Sequence, residues 1–399
     1  MGEVRKGPVR YTCAVEAIDQ RQPAPGLAIA GWAIFLACSW TWCIGMYLPV
    51  LLVRDLGVWA WVIFAVPNIV GAAAMGWVLR EPGASQRMVD GHRSACLWFS
   101  IVTIAFHVFF VGWMVQRLLS GWGIGLFAAA VALVYALRRD LAVGVIVLTG
   151  SLMAMAFLLG RGELFAQVTP LRHGPRLLGD LGGLAAVACL GFLLCPYLDL
   201  TFHRARQSTD PRAGAVAFAA GFVGPFLLMI LFTLAYAALL EYGGSTVALR
   251  LLGLHMAVQS GFTVAVHLRS VRQQSRGVWP WGALLVAAII AIALAAGGSR
   301  PADLPGVRGG EGVYRCFMVF YGLAFPTYVW LFMAGRRTGG RAAGPLLVSA
   351  IAFALPFYAM GFLFGPMVWI LPGVGVVLAA GLLGSVLTSR ERERAVDAP

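Results

Sequence analysis

The chain has 399 residues, of which 60% are apolar or aromatic and only 12% charged, with a mean hydropathy of +0.82. Soluble domains are nearer half apolar and a quarter charged, so the composition excludes a soluble protein and implies an all-α, polytopic membrane protein. The net charge of +13, carried by 29 arginines and Lys6, falls in short loops between apolar runs. There it sets membrane orientation rather than serving a nucleic-acid partner.

Residues 1–26 are polar and lack a signal-peptide core, which places the N-terminus in the cytoplasm. A spanning helix needs about 20 apolar residues. That criterion gives twelve spans, at 27–53, 56–79, 96–118, 121–137, 141–160, 177–199, 214–240, 246–268, 280–297, 312–334, 344–363 and 365–387. The loops between them are too short for an extramembrane domain, and the segment 388–399 reads as a cytoplasmic tail.

With the N-terminus inside, 21 cations fall on the cytoplasmic side and 9 on the outer side, as the positive-inside rule requires. Arg336, Arg337 and Arg341 belong to the inner set, and Arg172, Arg300 and Arg308 to the outer one. The arginine bias matches a GC-rich bacterial genome, and the expected location is the bacterial cytoplasmic (inner) membrane. The longest outer loop, 161–176 with Glu163, Arg172 and His173, separates a first five-helix unit (27–160) from a second (177–334). An odd number of helices per unit makes them an inverted repeat, with 344–387 as two additional helices.

The first helix of each unit is interrupted. Span one carries Ser39-Trp40-Thr41-Trp42-Cys43-Ile44-Gly45 and then Pro49; span six carries Gly191 and Pro196. Such breaks free backbone groups to line a site at the bilayer midplane. One Gly and one Pro per span is also ordinary for a membrane helix; the pairing of the breaks favours the site.

Asp199, on the inner half of span six, is the most informative charge. A carboxylate at that depth faces a cavity or a cation, and two roles stay open: pairing with Arg204 and Arg206, or coupling and gating. His107 in span three, His255 and Gln259 in span eight, and Thr327 and Tyr328 in span ten are the other midplane polar groups. A lone membrane histidine is more often a helix-to-helix hydrogen bonder than a ligand. Trp40 and Trp42, central rather than interfacial, suit a cavity wall.

No Gly-Lys P-loop, HExxH or GxSxG motif is present, so neither ATP hydrolysis nor a familiar intramembrane enzyme is expected. The seven cysteines form no CxxC pair and read as small hydrophobes. The run Gly71-Ala72-Ala73-Ala74 suits internal packing and dimerisation alike, leaving the oligomeric state open.

The stretch 191–240 resembles one region of the sodium:solute symporter family, of the amino acid/polyamine/cation superfamily. There an interrupted sixth core helix ends in an acidic residue, matched by Asp199, and a short basic segment follows, matched by Arg204. Leu200 and His203 replace that segment's glutamines. The Trp-rich centre of span one with Gly45 and Leu48-Pro49 looks like the family's first core helix. The resemblance covers about half the chain, and a nucleobase-cation symporter, sharing the five-plus-five fold, would look similar.

The resemblance implies a coupling sodium between helices one and eight, held by an Ala-x-x-Ser-Ser/Thr pattern. Ala257 and Ser260 match that pattern, Gly261 replaces the second hydroxyl, and Thr263 is the remaining oxygen donor. It also implies solute binding by Trp40, Thr41, Trp42, His107, Tyr197, Gln259, Thr327 and Tyr328, with Asp199 and Arg204 coupling or gating. The expected function is secondary active transport of a small polar solute driven by sodium or protons, with no other cofactor. The alternatives are a non-transporting sensor or scaffold on a transporter-like fold, and an intramembrane enzyme.

Overall fold

A computed structural model describes residues 25–162, 168–171, 174, 176–297, 309–334 and 343–396. Residues 1–24 of the N-terminal segment lie outside it, as do Glu163, Arg172, His173, Arg300, Arg308, Arg336, Arg337 and Arg341. The described residues are helical, without strands.

Span one is two helices, α1 (Pro25–Trp40) and α2 (Cys43–Leu56), bent by 59° at the Thr41-Trp42 step. Then follow α3 (Val58–Val78), α4 (Ala84–Leu118), α5 (Gly123–Leu137) and α6 (Asp140–Gly160). α7 (Leu177–Leu194) ends in a 3-10 turn, Cys195–Leu198, and the chain restarts as α8 (Leu200–Gln207). The remainder is α9 (Pro211–Tyr242), α10 (Thr246–Gln274), α11 (Trp279–Gly297), α12 (Gly310–Phe332), α13 (Ala343–Phe364) and α14 (Met367–Ser389), whose helix runs on to Val396.

Ten of these helices are long and apolar enough to cross a membrane, eleven with the bent pair. The expected fourth span is the exception: α5 has 15 residues, short of the about 20 that a straight crossing needs. α11 presents Leu285, Val286, Ile289, Ile290 and Ile292 outward. So broad an apolar face is stable only against lipid or another apolar surface. The chain is a polytopic membrane protein.

Small residues bring the helices into contact. A Cβ at Gly71 on α3 would sit 2.1 Å from the Phe192 carbonyl oxygen of α7, so α3 and α7 touch backbone to backbone. This is the internal-packing reading of the 71–74 run. Gly183 makes the same approach to the Met367 carbonyl at the start of α14. Such contacts recover the dispersion energy that lipid tails would otherwise supply. The aromatic core lies around the span-one break, where Trp42 meets Trp40, Phe99 and Tyr321 at ring-centroid distances of 4.6, 5.2 and 5.8 Å.

Candidate functional site

The span-one break is fixed by its surroundings rather than by its own glycine and proline. The bend falls at Thr41-Trp42; Gly45 and Pro49 lie beyond it, inside α2. Trp42 is extended (φ −80°, ψ 173°), which strips helical partners from the flanking backbone. Side chains of neighbouring helices replace them. The Cys43 N–H donates to His107 Nε2 (3.2 Å), the Tyr314 hydroxyl to the Cys43 carbonyl (3.0 Å), and Gln259 Nε2 and Thr263 Oγ1 to the Cys38 carbonyl. Buried backbone groups must be paired, so α4 and α10 supply the partners that the break removes, and α12 adds a bond to the first carbonyl of α2.

The span-six break lies beside it. Asp199 is extended (φ −79°, ψ 111°) and caps α8, its Oδ1 accepting from the Thr201 N–H and hydroxyl, each at 2.7 Å. The Thr201 hydroxyl oxygen lies 3.3 Å from Ser39 Oγ on α1. The two interruptions therefore meet directly.

Between them and α12 lies a cavity of about 70 Å³. A buried water needs about 10–15 Å³ on this scale, so there is room for a solute of roughly five or six heavy atoms. Its wall includes Trp40, Trp42, Phe64, Val187, Phe192 and Phe362, with Asn68 and Tyr321 as polar members. Trp40 Nε1 donates to Asn68 Oδ1 (2.7 Å), and the Tyr321 hydroxyl bonds Thr103 (2.8 Å). Three lining residues, Gly45, Phe192 and Gly322, each precede a proline by four positions (Pro49, Pro196 and Pro326). Proline has no N–H to give such a carbonyl. The wall is mostly apolar.

A cluster of charges flanks the cavity on each side of the bend. Beyond α2, Arg54 forms a fork with Glu311 (2.9 and 2.7 Å) and pairs with Asp55. Arg315 bonds Glu311 (2.8 Å), Asp55 and the Phe362 carbonyl. A narrower void of about 10 Å³ shares Leu48, Met318 and Phe362 with the cavity and ends at Asp55 and Arg315. The described part of the 161–176 loop covers this end, with Leu171 N–H donating to the Arg54 carbonyl (2.8 Å). On the α1 side, Asp140 at the start of α6 pairs with Arg204 of α8 and Arg269 of α10. Arg204 also stacks over Phe35, 4.7 Å from its centroid.

Of the expected solute-binding residues, the structure brings Trp40 and Trp42 together at the cavity and places the others elsewhere. Thr41 donates to the Ala37 carbonyl on the side facing Met229. His107 caps α2 through Nε2, which accepts from the Cys43 N–H, while its Nδ1 bonds the Thr103 carbonyl of its own helix (2.8 Å). Tyr197 is half-buried in the 3-10 turn, where its carbonyl takes His203 Nε2. Thr327 bonds back to Leu323, and Tyr328 bonds His92 Nδ1 (3.0 Å), away from the cavity.

Arg204 and Arg206 do not neutralise Asp199. Arg204 goes to Asp140, and Arg206 to the carbonyls of Leu79 and Arg80. The restart of the helix as α8 turns both guanidinium groups away from their own N-cap. Of the sodium pattern on α10, Thr263 reaches the Cys38 carbonyl of α1. Gln259 Nε2 donates to the same carbonyl, while Ser260 Oγ and Gln259 Oε1 have no partner. The missing second hydroxyl has a packing cause: a Cβ at Gly261 would sit 2.6 Å from Ala130 Cβ on α5. Ala257 is buried beside them.

Sequence reasoning missed Asn68, Ser39, Thr201 and His267. His267 stands four residues past Thr263 and eight past Gln259, a spacing that puts all three on one face of α10. Comparison with protein-family models, curated proteins and solved structures finds no match to this chain.

Proposed function

We propose that the chain is a secondary active transporter that carries a small solute by alternating access. One observation carries this reading: two interrupted helices meet at their breaks beside a cavity, and buried ion-pair clusters lie on both sides of it. A merely structural bundle gains nothing from two broken helices, whose freed backbone groups need partners from other helices. A transporter needs them, because half-helices can tilt independently about a fixed site.

In this reading the fork of Arg54 and Arg315 with Glu311 and Asp55 ties α2 to α12 and closes one access path. Asp140 with Arg204 and Arg269 ties α6, α8 and α10 and closes the other. Opening either side requires one cluster to separate and be hydrated while the other stays paired. The solute has an apolar body, to suit Trp40, Trp42 and Phe64, and one or two hydrogen-bond donors for the Gly45 and Gly322 carbonyls, which Pro49 and Pro326 leave without their helical N–H. The five-plus-five inverted repeat belongs to the same proposal.

The test is uptake by reconstituted liposomes across a panel of small solutes, under imposed ion gradients, for wild type and Gly191→Leu. A Cβ at Gly191 meets nothing within 4 Å, and the residue lines the cavity. The variant should fold and lose uptake. Uptake by Gly191→Leu equal to wild type would remove the cavity from the path.

A further inference from the structure

We infer that Asp199 and His267 form a buried proton-binding site at the junction of the two breaks, a site that names the coupling ion of the proposed transporter. Asp199 Oδ2 and His267 Nε2 are 3.9 Å apart, and neither atom has a hydrogen-bond partner. Both residues are fully buried. Unpaired buried polar atoms are rare in a folded protein. Here two face each other across a gap too long for a hydrogen bond and close enough to share one proton after a small movement.

The remaining atoms of the pair are held. Thr201 occupies Asp199 Oδ1, and Ser100 Oγ lies 3.1 Å from His267 Nδ1. No cation competes for the carboxylate. On α8, Arg204 and Arg206 are spent as described; on α10, Arg269 is spent on Asp140 and the Val134 and Tyr135 carbonyls. His203 on α8 is engaged at both nitrogens, by Ser85 and the Tyr197 carbonyl. The other titratable groups facing the pair are Cys96 and His107 on α4 and Tyr321 on α12. His107 is committed to Cys43, and Tyr321 to Thr103.

With Asp199 ionised and His267 neutral, the junction holds one uncompensated negative charge in a low-dielectric interior. One proton, held on Asp199 Oδ2 and donated to His267 Nε2, makes the pair neutral overall and supplies the missing hydrogen bond. The gain is mechanical as well as electrostatic. Drawing Oδ2 toward Nε2 pulls the start of α8 toward α10. Thr201 relays that shift to Ser39 at the end of α1, and Trp42 rests edge-on against His267 with centroids 5.6 Å apart. The proton site is thereby joined to both broken helices and, through Trp42, to the cavity wall.

Infrared spectroscopy of the purified, solute-free protein across a pH series tests this site through the carbonyl stretch of a protonated carboxyl group. Wild type should show such a band, identified as an aspartate's by isotope labelling, and Asp199→Asn should lose it. In His267→Gln its midpoint should move by about one pH unit or more, the size of an interaction at this separation in partly polar surroundings. Labelling and His267→Gln keep the test decisive if Asp199→Asn does not fold. Absence of an aspartate band, or a midpoint unmoved by His267→Gln, overturns the site. So does abolition of the band when sodium replaces choline at fixed pH, since the ligand is then a metal cation. The proposal rests on the transporter reading, yet the two fail separately: a titrating pair in a protein that moves no solute leaves the site standing, and uptake without an Asp199 band removes the site alone.

Discussion

Replacing Glu311 by Gln should open the path between the cavity and the Arg54 end of the bundle. Glu311 is 2% exposed and accepts three N–H groups, two from Arg54 and one from Arg315. The amide keeps one acceptor oxygen and turns an NH2 group toward two buried guanidinium groups. Removing one partner of a buried ion pair costs about 3–5 kcal/mol. Because both arginines keep Asp55, the lower end applies, about 3 kcal/mol. That cost falls on the conformation in which α2 and α12 are tied together. At about 1.4 kcal/mol per tenfold, the open population should rise roughly 100-fold. Met318 lines both the cavity and the narrower void, so Met318→Cys reports the opening. The host would have Cys189 and Cys316, the exposed cysteines among the described residues, replaced by Ser. The rate of modification by a membrane-impermeant maleimide should rise toward that factor. A folded Glu311→Gln protein that labels at the unaltered rate would refute the gating role of the cluster.

Asp140→Asn should act on the opposite closure: it leaves Arg204 and Arg269 without their shared carboxylate and should lower thermal stability by about 3 kcal/mol, read from the melting temperature of the detergent-purified protein. His107→Leu removes the acceptor of the Cys43 N–H and should cost about 1–3 kcal/mol, the price of one orphaned buried donor; a melting temperature equal to wild type would mean that α2 needs no cap. Gly71→Ala forces a Cβ against the Phe192 carbonyl and should yield little monodisperse protein in size-exclusion chromatography. Gly150→Ala, where a Cβ meets nothing within 4 Å, should behave as wild type.

The features legible in the sequence are those that local chemistry dictates. Apolar runs longer than about 20 residues mark the long helices, and the polar, Trp-rich centre of span one and the Cys195-Pro196 step mark the interruptions. Asp199 stands out because a carboxylate inside an apolar run needs a reason. The position of the first bend is not local: it falls ahead of Gly45 and Pro49, where His107, Tyr314, Gln259 and Thr263 supply partners from sequence-distant helices. For the same reason Arg204 looks like a partner of Asp199, five residues away, and instead meets Asp140, 64 residues away. His267 was within reach of periodicity, through its spacing from Gln259 and Thr263. Glu311 and Arg315, spaced i,i+4, were likewise visible as a pair, but their union with Arg54 and Asp55 depends on how α2 packs on α12.

The central claim, that a solute passes through the cavity between the two breaks, is tested most directly by uptake into liposomes containing wild type or Gly191→Leu, with an inward pH gradient and then with none. The expected result is accumulation of at least one small, donor-bearing solute by wild type, dependent on the gradient and lost in Gly191→Leu. The contradicting result is a folded, reconstituted wild-type protein that accumulates no member of a broad panel under proton or sodium gradients.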